Sequence, residues 1–212
     1  MKILLSGFEP FGGETVNPSW EAVKRVSPPA GCELVRLCLP VEFIAAAATL
    51  EEAFRREKPD ALVAVGQAGG RSGVSLERVA VNLMDARIPD NGGFQPKDAV
   101  LFEGGENAYF STLPLRKMEK ALKEAALPAA VSNTAGLYVC NCVFYTAVRL
   151  AQEIPGMKAG FIHVPYLPEQ AAGKDAPSMT LEEDIRALEI ILGCLAEPGA
   201  DRRGEYMRPR QK

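Results

Sequence analysis

The chain contains a single histidine, so any mechanism that needs an imidazole must use His163. That residue lies in Phe161-Ile162-His163-Val164-Pro165-Tyr166, an apolar run of strand type that ends at a proline. There are five cysteines, Cys32, Cys38, Cys140, Cys142 and Cys194, and Cys140 has the most reactive setting. It follows Ser132-Asn133-Thr134-Ala135-Gly136-Leu137-Tyr138-Val139, where a strand and a loop lead into a helical run. At a helix start, unpaired backbone N–H groups and the helix dipole face the sulfur, so a lowered thiol pKa is expected. The same N–H groups can hold the oxyanion of a tetrahedral intermediate. A thiol and an imidazole are the minimal apparatus for covalent acyl transfer, usually with a third group that orients the ring. Glu77 is one candidate for that group, because it interrupts the extended apolar segment Val74-Ser75-Leu76-Glu77-Arg78-Val79-Ala80. Asp85 and Asp90 compete with it. A blander reading makes Cys140 an inert buried thiol, His163 a hydrogen-bonded core residue and Glu77 a solvated or ion-paired carboxylate. Cys142 is expected to point into the core.

Other chemistries fit poorly. The stretch from Gly66 to Gly73 is glycine-rich but lacks the G-x-G-x-x-G spacing and a Walker lysine. Cys140 and Cys142 are too close together for a structural zinc pair, and one histidine leaves no His-rich site, so neither metal nor cofactor is expected. No G-x-S-x-G elbow occurs. With Lys+Arg 24 against Asp+Glu 27 the net charge is −3, which argues against nucleic acid or anionic membrane as partner. No apolar run approaches the roughly 20 residues of a membrane span, and the first apolar stretch is too short for a signal peptide. An odd, scattered set of cysteines reads as reducing cytosol rather than a disulfide framework, so the expected location is cytoplasmic.

These residues must be held by a fold, and strand-like and helical runs alternate along the chain. Strands are expected at Lys2–Ser6, Glu33–Leu39, Ala61–Val65, Ala129–Ser132 and Ala159–Val164, with a looser extended stretch from Val74 to Met84. Helices are expected from Asn17-Pro18 toward Val26, over Val41–Glu57, Leu113–Ala126 and Cys140–Glu153, and from Thr180 onward. The last opens with a capping box to Glu183, and Leu181, Ile185, Leu188, Leu192 and Leu195 form one apolar stripe. The pattern predicts a single three-layer α/β/α domain with a largely parallel, mixed sheet over residues 1–197. A charged tail, expected to be flexible, follows over residues 198–212. Ligands in such folds bind beyond the carboxyl ends of the strands, where Gly7–Gly13, Gly66–Arg71 and His163–Tyr166 lie.

Taken together, these segments resemble the type I pyroglutamyl peptidase (pyrrolidone-carboxylate peptidase) family of cysteine peptidases. The resemblance rests on Gly7-Phe8-Glu9-Pro10-Phe11-Gly12-Gly13 with Asn17-Pro18-Ser19, and on Gly66-Gln67-Ala68-Gly69-Gly70-Arg71. It continues in Glu77-Arg78-Val79-Ala80-Val81-Asn82, Asp85-Ala86-Arg87-Ile88-Pro89-Asp90-Asn91, Ser132 through Asn141, and Phe161 through Pro168. It implies an enzyme that removes N-terminal 5-oxoproline from peptides, with Cys140 as nucleophile, His163 as base and Glu77 as acidic partner. It further implies Arg87 near the oxyanion, Phe8 and Phe11 as pocket walls, and Asn17, Gln67 and Val139 lining the same pocket. A cytoplasmic, metal-free homotetramer acting on pyroglutamyl peptides is the family expectation. Leu137 stands where the family often has threonine, and Cys142 is a second thiol beside the nucleophile. A nucleoside phosphorylase-like transferase and an inactive peptide-binding module on the same fold are the alternatives; neither explains the Cys140, His163 and Glu77 motifs.

Overall fold

A computed structural model describes residues 1–196 of the chain. The tail expected over residues 198–212 lies outside the described residues. In chain order the elements begin with β1 (Lys2–Phe8), α1 (Pro18–Arg25), β2 (Glu33–Leu39), α2 (Phe43–Glu57) and β3 (Ala61–Gln67). Next come β4 (Val74–Glu77), β5 (Val79–Val81), β6 (Ala108–Phe110), α3 (Leu115–Glu124) and β7 (Ala129–Ser132). The chain then forms α4 (Val139–Ala151), β8 (Lys158–Val164), α5 (Pro168–Ala171) and α6 (Leu181–Ala196).

Six strands make one sheet in the order β2-β1-β3-β8-β4-β7, and β5 and β6 pair in a small separate ribbon. The strands β2, β1, β3 and β8 run parallel, whereas β4 lies antiparallel to β8 and parallel to β7. The largely parallel, mixed sheet is therefore as expected. Side chains alternate across it. Leu4, Leu62, Ala64 and Phe161 pack beneath α2 and α4, while Ile3, Leu5, Val63, Val65 and Ile162 face α1, α3 and α6. Each face closes over its own apolar layer, which is why the central strands β1 and β3 read as continuous hydrophobic runs.

Three expectations need correction. First, β1 extends beyond Ser6 to include Gly7 and Phe8, which pair with Cys38 and Leu39 of β2. Gly7 tolerates this position because a Cβ there would sit 2.8 Å from the Trp20 backbone, so only glycine lets α1 come so near. Second, the extended stretch from Val74 to Met84 breaks at Arg78 into β4 and β5, which belong to different sheets. Third, the buried face of α6 includes a carboxylate. The capping box of Thr180 and Glu183 is present, but the fully buried positions are Asp184, Ala187, Leu188, Ile191 and Leu192, with Leu181, Ile185 and Leu195 at the margin.

Asp184 is 0% exposed, and neither carboxyl oxygen has a hydrogen-bond partner among the described residues. Burial, and then the charge of Glu183, push its pKa up to about 8. The folded state thus binds a proton that the unfolded chain releases near its ordinary value of about 4, so stability falls as pH rises from about 4 to about 8. Asp184→Asn, neutral throughout, should match the parent near pH 4. It should exceed the parent near pH 8 by up to on the order of 5 kcal/mol, read from denaturant midpoints at the two pH values. Equal midpoints at pH 8 would show that Asp184 is already ionised at no cost.

Candidate active site

The loop after β7 ends at Tyr138, and α4 begins at Val139, so Cys140 occupies the first turn of a helix as expected. No side chain caps this end; Asn141 and Cys142 N–H both donate to the Tyr138 carbonyl, and the N–H groups of Val139 and Cys140 have no acceptor among the described residues. Asn141 fastens the turn to the ribbon: its amide accepts from Val81 N–H and donates to the carbonyls of Val81 and Leu83. Cys142 is buried, and its sulfur donates toward the Phe43 carbonyl at 3.3 Å, so the second thiol faces away from Cys140.

The sulfur of Cys140 sits over Gly66 of β3, where a Cβ would lie 2.9 Å from Sγ. Gly66 pairs in register with His163 of β8, so the missing Gly66 side chain leaves room for the sulfur on the same sheet face as the imidazole. His163 Nδ1 donates to Glu77 Oε1 at 2.8 Å. Because a carboxylate only accepts, the ring proton is on Nδ1 and Nε2 keeps its lone pair. Glu77 reaches His163 from β4, whose antiparallel register sets Ser75 opposite His163 and Glu77 opposite Phe161. The acid therefore lies inside the sheet, fully buried, with Phe161 and the imidazole above it.

Arg71 completes this arrangement and was not singled out from the sequence. Its guanidinium donates to the same Glu77 oxygen at 2.5 Å and to the Thr134 carbonyl at 2.9 Å. It thus joins the buried acid to the loop that leads into Cys140. Glu77 Oε2 has no hydrogen-bond partner among the described residues. Asp85 and Asp90 have other work. Asp85 pairs with Lys97, and Asp90 accepts the backbone N–H groups of Phe43 and Phe94.

The expected acidification of Cys140 does not occur. Burial, and then the nearby charge of Glu77, push the thiol up to about 12, against the weaker pull of Arg71 and of its own backbone amide. Desolvation disfavours the anion by more than the helix start favours it. Burial likewise holds the His163 pKa below its ordinary value, with Glu77 opposing and Arg71 reinforcing the shift. The resting pair is a neutral thiol beside a neutral imidazole.

Next to the sulfur opens a small recess lined by Phe8, Phe11, Asn17, Val41, Gln67, Tyr138, Val139 and Cys140. The five residues expected there on resemblance are all present, and Val41 and Tyr138 are additions. Phe11 and Tyr138 lie 6.3 Å apart between ring centroids, and Tyr138 meets the edge of Phe43. Arg87 stands apart. It is exposed, and its side chain makes no hydrogen bond or ion pair to a described residue. Its loop is nevertheless fastened to the loop that precedes Cys140, for Asp85 N–H donates to Leu137 O and the Tyr138 hydroxyl donates to Pro89 O. Another depression, along α3, is an ion-paired surface of Arg116, Glu119, Lys120, Lys123 and Glu124 without a nucleophile. Among the described residues no cluster of His, Cys, Asp and Glu could hold a metal, and no helix is long and apolar enough to cross a membrane.

Comparison with known proteins places the chain in a family. A family model described as pyroglutamyl peptidase matches residues 1–197. The pyrrolidone-carboxylate peptidase of Thermococcus onnurineus is 52% identical over 195 residues, covering 91% of this chain and 97% of the relative. That of Lactobacillus johnsonii is 48% identical over 202 residues, 93% of each chain. Among solved structures, pyroglutamyl peptidase I of Bacillus amyloliquefaciens superposes with a TM-score of 0.87 at 46% identity, over 91% of this chain and 95% of that one. A variant of the pyrrolidone carboxyl peptidase of Pyrococcus furiosus gives 0.88 at 43% identity, over 93% and 99%.

Proposed function

The chain belongs to the pyroglutamyl peptidase family, and from that premise we infer how its site removes an N-terminal pyroglutamyl residue from peptides. The observation that carries the reading is the buried Glu77–His163 hydrogen bond beside a thiol in the first turn of α4. His163 Nε2 takes the Cys140 proton as the sulfur attacks the pyroglutamyl carbonyl, and the first-turn amides of α4 receive the oxyanion. The imidazolium then gives its proton to the departing amine, leaving a thioester. Water, losing a proton to His163, releases pyroglutamate and restores the thiol. Glu77 holds the ring tautomer and stabilises its cation, and Arg71 positions Glu77. Arg87 swings from its loop to support the oxyanion, a role that rests on resemblance and on the fastening of that loop.

The recess takes the lactam ring between Phe8 and Phe11, over Val139, with Asn17 and Gln67 at its polar edge. A lactam-capped N-terminus has no ammonium, which suits a recess without a carboxylate. The nucleoside phosphorylase and binding-module alternatives are not favoured, since they assign no role to this thiol–imidazole–carboxylate geometry. Five free cysteines support a reducing, cytoplasmic setting. Exposed Ile44 and Phe110, 74% and 68% accessible, support self-association, for which the family expectation is a tetramer. Release of a chromophore from a pyroglutamyl amide, abolished by prior iodoacetamide, tests the reading. Turnover that survives complete alkylation of Cys140 would overturn it.

Glu77→Gln carries a signed pH prediction. Glu77 raises the His163 pKa, so removing its charge should move the acidic limb of kcat/KM to lower pH. The plateau should fall by about 10²-fold, because the imidazolium loses its counter-charge. A limb that moved upward would assign it to another group.

A further inference from the structure

We propose that Gln170, outside the recess, is the specificity-determining positioning residue that sets which face of the Gln67 amide the substrate meets. The inference rests on the reading of the recess as the lactam pocket. Gln170 lies in α5 and is 5% exposed. Leu167 N–H donates to it at 3.1 Å, and since a backbone amide can only donate, the Gln170 atom there is the oxygen. Its Nε2 therefore lies on the other side, where it donates to Val16 O at 3.3 Å and to the Gln67 side chain at 3.1 Å, with the Glu14 carboxylate as a further acceptor. The Gln67 atom receiving that hydrogen must be Oε1. Gln67 lines the recess, its oxygen is already engaged, and its Nε2 has no partner among the described residues. What Gln67 offers a ligand is a pair of N–H donors.

Asn17 is fixed by the same logic. Its oxygen accepts Ser19 N–H at 3.1 Å and the Ser19 hydroxyl at 2.8 Å, and that hydroxyl itself accepts Phe8 N–H at 3.0 Å. Asn17 Nδ2 therefore faces Glu9 O, at 2.9 Å, with one hydrogen to spare. Both amides of the recess are thus locked by backbone N–H groups in the donating sense. They read a carbonyl oxygen, which the lactam ring presents and a simple pyrrolidine ring lacks. Neither lock is an accident of amide assignment, because each chain of hydrogen bonds starts from a group that cannot be turned around.

Gln170→Glu tests this by reversing the lock. A carboxylate at this position still accepts Leu167 N–H, gives up the donations to Val16 O and Glu14, and can only accept from Gln67, which must turn its Nε2 outward and its oxygen toward the recess. Steady-state kinetics would compare a pyroglutamyl amide with its 5-thioxo counterpart, a weaker acceptor bearing the same leaving group. In the parent the oxo compound should be preferred. In Gln170→Glu its kcat/KM should fall by about 10²-fold, mainly through KM, and the oxo/thioxo preference should collapse toward one. Gln67→Met leaves the Gln170 anchor intact and should show the same collapse, which keeps the proposal testable if the glutamate variant does not fold. An unchanged oxo/thioxo ratio in the folded variants, or a fall in kcat at constant KM, would overturn it by making Gln170 a structural prop. Phe8→Ala separates the underlying reading. If it leaves KM for the pyroglutamyl amide unchanged, the ring does not bind in this recess and both fail. If it raises KM while Gln170→Glu does not, only the role of Gln170 falls.

Discussion

Cys140→Ser is expected to lose at least about 10⁴-fold in kcat while keeping the parent's unfolding midpoint, and Cys142→Ser is expected to keep most of its activity. The asymmetry follows from geometry two residues apart. Cys140 sits over Gly66, on the sheet face that carries His163, whereas Cys142 donates to the Phe43 carbonyl at the start of α2. The raised thiol pKa sharpens the expectation. The proton must leave during attack, and an alcohol releases it less readily than a thiol and is the poorer nucleophile. Alkylation should follow the same logic. A resting neutral thiol reacts slowly with iodoacetamide at pH 7 and faster as pH rises, without the plateau of a preformed thiolate. The measurements are kcat for both serine variants and the pH profile of inactivation. Reversed serine phenotypes would transfer the nucleophile to Cys142 and with it the direction of α4's first turn.

Discrimination between pyroglutamyl and prolyl amides bearing one leaving group should reach about 10⁴–10⁵ in kcat/KM, the range seen where a site is built around a required polar group. A prolyl ring has nearly the same outline but lacks the carbonyl that the Asn17 and Gln67 donors face, and it carries an ammonium. Binding it would leave those N–H groups unpaired and bring a cation against Phe8 and Phe11 with no carboxylate in the lining. A glutaminyl amide, open and cationic, should fail for the same reasons. Side-by-side kinetics of the three amides checks this. Comparable hydrolysis of the prolyl compound would mean that ring shape alone is read.

Much of this site was legible because its residue types are scarce. One histidine leaves a single candidate base, and a cysteine at the junction of loop and helix marks a candidate nucleophile without any knowledge of packing. The acid was not legible from residue chemistry alone, because Glu77, Asp85 and Asp90 differ only in where strand order carries them. Glu77 meets a histidine 86 positions away through an antiparallel neighbour in a mostly parallel sheet. Only the resemblance singled it out. Arg71 was read as part of a glycine-rich loop, and nothing in its spacing shows that its guanidinium turns back to that acid. The thiol pKa was misjudged because helix position is visible in sequence and desolvation is not. Asp184 was missed for a related reason: an acidic residue one turn into a helix reads as solvated, and only the packing of α6 against α1 and α3 buries it. The short strand β6 and the single-turn α5 fall below the length at which periodicity carries a signal.

The position of β8 between β3 and β4 also matters for a chain still on the ribosome. Cys140 is synthesised before His163, and the sheet has a gap between β3 and β4 until residues 158–164 are available to fill it. Any nascent or truncated chain ending short of that strand carries the thiol without its base and the acid without the ring it orients. On the proposed mechanism such a chain has no proteolytic apparatus, and the order of synthesis then does what an inhibitory pro-segment does in zymogens. The same gap leaves β3 and β4 with unpaired edges, the part of the molecule most in need of shielding until the last third of the polypeptide arrives.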